Sequence, residues 1–169
     1  LAGADVIFAA TPAKEFLLRE NLPNIPGYDF CIIDNPPSLG FLTLAAFAFA
    51  DELLVPIQAE FMGLEGTAQL LQVFNVAKKR LNPALEIGGV LLTMYDSRKN
   101  LNKAILEKVE DHFPDKIYKS YIRDSVPIAE APAQNMSIFA YVAGNKYKST
   151  YGADDYLSLA HEIADRHTR

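Results

Sequence analysis

The sequence predicts an α/β fold, a mostly parallel sheet with helices on both faces, and three observations predict it. Short apolar runs recur at residues 28–34, 51–57 and 87–94. Each is hydrophobic on both faces, the pattern of a strand buried inside a parallel sheet. Helical stretches separate them, and strand–helix alternation at short intervals builds βαβ units. Half of the 169 residues are hydrophobic, enough for a single domain over residues 1–169 with a sizeable core.

The first run, Y-D-F-C-I-I-D-N-P-P-S-L-G from Tyr28 to Gly40, organises the rest. Its apolar centre (Phe30, Cys31, Ile32, Ile33) ends in Asp34, and Pro36 and Pro37 follow at once. Proline cannot continue a ladder, so the strand stops there and a shaped loop begins. Ligands of open α/β sheets bind outside the carboxyl ends of the strands. An acid at that place either holds a metal ion beside a nucleotide phosphate or caps the following helix. Cys31, the lone cysteine, reads as a small core hydrophobe, and with no second cysteine a disulfide framework is excluded.

The remaining elements follow in order. Residues 1–20 read as helical, with Thr11 as N-cap and Pro12 at the first helical position. Residues 21–27 hold two prolines and a glycine and form a loop. Leu39 to Ala50 carries no charge and reads as a buried helix. The strand at 51–57 is expected to terminate at Pro56. From Glu60 to Leu81 runs the longest helical signal, with Leu70, Phe74, Ala77 and Leu81 at helical spacing and Asn82-Pro83 as its stop. After the strand at 87–94, Asn100 to Phe113 is amphipathic, with Leu101, Ile105, Val109 and Phe113 on one face. Lys116 to Ile122 alternates like a strand nearer an edge, and Val126 to Met136 is a mixed segment with two prolines. The last helix, about 153–166, has Tyr156, Leu159, Ala160 and Ile163 as its inner stripe.

Composition narrows the function. The net charge of −5 argues against a uniformly basic surface, yet residues 97–123 carry +3 and the rest −8. That polarity marks either one anion-facing patch or an ordinary solvated helix face. No apolar run approaches the roughly 20 residues that span a bilayer. The N-terminus lacks both the pattern of a signal peptide and an initiator Met, so the expectation is a cytoplasmic location and a piece of a longer chain. His112, His161 and His167 lie on helices without partners at ligand spacing and read as solvated or capping.

Several stretches together resemble the ParA/Soj-type partition ATPases, the deviant Walker A members of the P-loop NTPases. They are Y-D-F-C-I-I-D-N-P-P-S-L-G-F-L-T, V-P-I-Q-A-E-F-M-G-L-E-G-T-A-Q-L-L, K-K-R-L-N-P-A-L-E-I-G-G-V-L-L-T-M-Y-D-S-R, A-E-A-P and G-A-D-D-Y-L-S-L-A. Their order and spacing match that family from about residue 1 to the last helix. The resemblance implies a protein that binds and hydrolyses ATP with Mg²⁺, forms a homodimer on nucleotide, and binds DNA non-specifically. It implies, too, a ParB-like centromere-binding partner, chromosomes or plasmids as cargo, and a nucleoid-associated cytoplasmic location.

Residue by residue, Asp34 matches the catalytic Walker B acid that helps hold Mg²⁺, through water. Pro36, Pro37 and Gly40 match the switch loop near the γ-phosphate. Met94, at the end of its strand, and Arg123, opening the turn to Val126, fall where the family builds its adenine pocket. Glu60 matches an acid near the dimer interface, and Arg98 an arginine that touches DNA phosphates. Such a contact works by charge and counterion release and carries little sequence information.

Two departures qualify the resemblance. The K-G-G-x-x-K-T/S loop, whose backbone N–H groups and lysine cradle phosphates, is nowhere in the 169 residues. The expectation is the C-terminal two-thirds of a partition ATPase that neither binds ATP well nor hydrolyses it. Where the family often carries arginines, this chain has Asp124 and Pro127, which predicts weaker DNA binding or its transfer to Lys99 and Lys103. Two other readings compete. One is a stand-alone, non-catalytic pseudo-ATPase binding module. The other is a MinD-like division-positioning ATPase, which needs a basic amphipathic C-terminal helix that D-Y-L-S-L-A-H-E-I-A-D-R-H-T-R does not supply.

Overall fold

The computed structural model describes residues 8, 11–22, 26–36, 38–144 and 151–168, with the side chains of 61–65 left aside. A 3₁₀ turn (Lys14–Phe16) leads into α1 (Leu17–Asn21), followed by α2 (Phe41–Phe49), β1 (Glu52–Gln58), α3 (Phe61–Arg80) and β2 (Glu86–Thr93). Then come α4 (Asn100–His112), α5 (Val126–Ala133), α6 (Ile138–Gly144) and α7 (Tyr151–His167). The chain divides into two compact units, Leu1–Leu53 with Gly66–Gly88, and Leu54–Glu65 with Gly89–Arg169.

β1 and β2 pair in parallel. Glu86 N–H donates to Asp51 C=O at 3.0 Å at one end, and Ala59 N–H to Thr93 C=O at 2.9 Å at the other. A third segment joins β2 through the parallel bridges Val90–Ile117 and Thr93–Ile122. The edge strand expected at 116–122 is thus present as bridges rather than a continuous ladder. Two residues more separate the bridge points on this segment than on β2, and that surplus breaks the ladder.

In the first unit, Phe47, Phe74, Ala77 and Leu85 form the core, with Leu53, Leu70 and Ile87 against it. The predicted stripe of the long helix therefore faces inward. Asn82 does more than end that helix. Its buried amide donates to the C=O of Phe47 at 3.0 Å and of Ala50 at 2.7 Å, meeting two carbonyls that the end of α2 leaves without helical partners. In the second unit, Leu91, Tyr118, Ile122 and Leu159 form the core, with Leu54, Ile128 and Ile163 packed on it.

Several expectations are corrected. The run at 28–34 forms no strand, and Tyr28, Phe30 and Ile32 are 77%, 49% and 93% exposed. Cys31 is exposed rather than a core residue. A short apolar run acquires strand geometry only from the ladder beside it, and among the described residues none forms along 28–34. β1 continues through Pro56 to Gln58. Odd-numbered groups such as Asp51 C=O and Ala59 N–H face β2, so the N–H that proline lacks would have pointed away from β2. Thr11 and Pro12 do not start a helix. Ala13, at φ 53°, precedes the 3₁₀ turn instead, and the helical expectation for residues 1–7, 9 and 10 lies outside the described residues. The segment after residue 125 is two helices, with Pro127 tolerated in the first turn of α5. On α7, Leu159 and Ile163 point inward, but Tyr156 and Ala160 are exposed and Asp155 takes an inward place. On α4, Leu101 is exposed and Asn102 is buried in the company of Ile105 and Val109.

Candidate functional site

Asp34, Pro36 and Gly40 belong to the first unit. Asp34 is exposed, and the neighbouring Asn35 folds its amide back to Ile33 C=O at 3.1 Å. Gly40, not Asp34, is the N-cap of α2, in an extended conformation and with no side-chain cap, so the capping alternative for the acid does not hold. Thr43 ties the turn down instead, its hydroxyl donating to Ser38 C=O at 2.7 Å. Pro37 lies outside the described residues. Among the described residues no group of three or more His, Cys, Asp or Glu side chains could hold a metal ion. A Mg²⁺ site at Asp34 would draw its other ligands from phosphate and water, the usual habit of that ion. The phosphate cradle is absent from the 169 residues. The residues present therefore fit one ligand of a Mg²⁺–nucleotide site and do not complete it.

Glu60, Met94, Arg98, Lys99, Lys103 and Arg123 belong to the second unit. Glu60 is exposed and follows Ala59, which is 0% exposed and hydrogen-bonded to the last residue of β2. Met94 leaves β2 at φ 54°, a left-handed conformation that turns the chain sharply. Tyr95 is then pinned by its N–H to Ile122 C=O at 3.1 Å.

The loop that follows is built on Asp96. Its carboxylate accepts from the Arg98 N–H at 3.0 Å and from Nε and Nη2 of the same residue, both at 2.9 Å. That guanidinium, with the Arg98 N–H, holds the Asp96 carboxyl down to about 2. Lys99 N–H donates to Asp96 C=O at 3.0 Å, and Lys103 N–H to Lys99 C=O at 3.3 Å. Arg98, Lys99 and Lys103 all reach solvent, and the Arg98 side chain is 89% exposed. The geometry therefore gathers the three predicted cations at one loop and the first turn of α4. Residues 97–123 hold the +3 charge against an acidic remainder, so the anion-facing alternative gains a local structure.

Arg123 is placed differently from the other cations. Its side chain is bonded to Asp155 and lies over the Tyr151 ring at 4.3 Å. A pocket of the kind expected around Met94 and Arg123 could use the backbone of this turn, whereas the guanidinium is already committed.

Asp96, Asn102, Asp155 and Glu162 are not among the residues that charge and spacing single out. Asn102 had a signal, a polar residue three before Ile105 on an otherwise apolar face. Asp155 had none, because an acid near the start of a helix is equally explained by the macrodipole.

The AAA domain family model matches residues 1–87. The Bacillus subtilis sporulation initiation inhibitor protein Soj is 41% identical over 165 residues, 97% of this chain and 63% of that protein. The Myxococcus xanthus chromosome partitioning protein ParA is 39% identical over 169 residues, 99% of this chain and 58% of its own length. Among solved structures, Mycobacterium smegmatis cobyrinic acid a,c-diamide synthase with bound ADP and magnesium superposes with a TM-score of 0.73 at 27% identity. That match covers 99% of this chain and 61% of the synthase. The chain thus spans about three-fifths of the curated relatives it matches.

Proposed function

Because the chain belongs to the Soj/ParA family of partitioning ATPases, we propose that it serves an ATP-dependent machine that segregates chromosomes or plasmids, and that its own contribution includes the DNA-facing loop. The observation that carries this reading is the loop after β2, where Arg98, Lys99 and Lys103 reach solvent on a scaffold braced by Asp96. Exposed cations at one place suit phosphates of any sequence. The self-paired Asp96 offsets part of that charge, which favours weak rather than tight binding. Asp34 is the residue that would ligate Mg²⁺, an ion that neutralises phosphate charge during ATP hydrolysis. Glu60 at the mouth of β1 suits a homodimer contact, and a ParB-like protein suits the partner. The working compartment on this reading is the cytoplasm at the nucleoid; among the described residues no helix is long and apolar enough to cross a membrane.

The test is fluorescence anisotropy with random-sequence duplex DNA across a salt series. Arg98→Ala, Lys99→Ala and Lys103→Ala should each weaken binding equally on all sequences and reduce the salt slope by about 1. Binding that ignores all three substitutions would remove the DNA-facing role.

A further inference from the structure

Asn102 is 3% exposed on α4, and its amide joins two loops. Its Nδ2 donates to Ala59 C=O, and its Oδ1 accepts the Asp96 N–H at 2.8 Å. Both backbone groups sit where a strand has ended and its ladder no longer supplies partners, so one side chain satisfies groups that would be costly to leave unpaired. Asp96 is the residue on which Arg98 and Lys99 are built. Ala59 is the residue before Glu60 and is itself bonded to Thr93. A single buried amide therefore links the last residue before Glu60 to the base of the cationic loop.

We propose that Asn102 is a positioning residue for phosphate binding: through Asp96 it fixes Arg98 and Lys99, and it registers that loop to the end of β1. The proposal rests on the phosphate-contact reading above. An Asn that merely fills the core would affect stability and leave the loop's use of DNA unchanged relative to that stability. Acting through Arg98, in contrast, makes the two residues non-additive, because neighbours in one hydrogen-bond network couple.

The experiment compares the wild-type chain, Asn102→Ala, Arg98→Ala and the double variant for anisotropy against random duplex DNA at low and rising salt. Circular dichroism confirms folding of each. Asn102→Ala should weaken binding roughly threefold to tenfold and lower the salt slope by about 1. In the Arg98→Ala background both effects should be clearly smaller, and what remains passes through Lys99. Amide exchange should rise at residues 96–99 while Ile105 and Val109 keep their protection. An equal loss in both backgrounds, or a loss confined to melting temperature, overturns the positioning role. An Arg98→Ala chain that binds like wild type, or a wild-type chain that does not bind at low salt, sinks the phosphate reading itself. If Asn102→Ala fails to fold, Asn102→Leu takes its place, since it is close in size and removes both the acceptor for the Asp96 N–H and the donor to Ala59.

Discussion

Arg123 and Asp155 form a closed unit: the carboxylate takes the Arg123 backbone N–H at 3.0 Å and also its Nε, at 3.0 Å to the same oxygen, with Nη2 on the other oxygen. The turn after the bridged segment is thereby fastened to α7. The Asp155 side chain is 9% exposed and that of Arg123 36%, so the two substitutions are unequal. Arg123→Ala leaves a buried carboxylate with one amide as partner, whereas Asp155→Asn leaves a guanidinium that water reaches and an oxygen for the amide. Arg123→Ala should cost about 2–3 kcal/mol and Asp155→Asn about 1 kcal/mol, less than a fully buried pair because of the solvent contact. Thermal melts should show that order, and the reverse order would sink this account.

Further along α7, Glu162 accepts the N–H groups of Lys119 and Ser120, each at 2.9 Å, and Arg166 donates to Ile117 C=O at 3.0 Å. Helix side chains thus occupy backbone groups at a sheet edge that a second chain could otherwise pair with. Partial burial pushes the Glu162 carboxyl up, but the two amides and Arg166 outweigh it, and its pKa lies below the ordinary 4.5. A depressed carboxylate contributes stability above its unfolded pKa, and that contribution fades as pH falls through the folded value. Glu162→Gln should therefore melt below wild type by a constant margin at neutral pH, with the margin shrinking under about pH 4.5. A margin that widens on acidification would contradict the assignment.

Gly89 makes a narrower case. A Cβ there would overlap the Tyr118 ring, which is 5% exposed and lies under the Arg166 guanidinium at 4.0 Å. The ring is walled in and cannot swing aside freely. Gly89→Ala should cost about 1–3 kcal/mol by overpacking, lowering the melting temperature by roughly 2–4 °C per kcal/mol. At Gly88 the same change meets chiefly the far end of the Glu52 side chain, a chain of single bonds rather than a ring, and should cost less. Equal losses at the two positions would refute the ring contact.

The elements legible in the sequence were those whose pattern is written in their own residues. The stripe Leu70, Phe74, Ala77 and Leu81 led directly to α3, and the run at 87–94 to β2. What failed depended on partners. Residues 28–34 read as a strand, but strand geometry is conferred by neighbours and local sequence does not name them. The site divided in the same way. Arg98, Lys99 and Lys103 could be singled out by charge. Asp155 and Glu162 act on backbone amides 32 and 43 residues away, and no spacing rule reaches that far.

Asp34 yields a prediction about nucleotide. It is a single exposed acid, and the cradle that would bring phosphates to it is not among the 169 residues. Isothermal titration of the chain with Mg–ATP should give no heat of binding. Micromolar affinity for Mg–ATP would show that another loop of this chain holds the phosphates.

Tyr28, Phe30 and Ile32 alternate with Asp29 and Cys31 along an exposed segment, and a row of large apolar side chains at that exposure is rare on a protein that stays monomeric. Short apolar runs with high β-propensity pair readily with a copy of themselves or with an open sheet edge. β1 offers such an edge on its Pro56 side, where the described residues form no ladder. The chain should therefore self-associate as its concentration rises, and Ile32→Lys should reverse this without lowering the melting temperature, since Ile32 is 93% exposed and contributes nothing to the core. Sedimentation velocity decides the matter: a wild-type chain that remains a single monomeric species at high concentration would overturn the self-association.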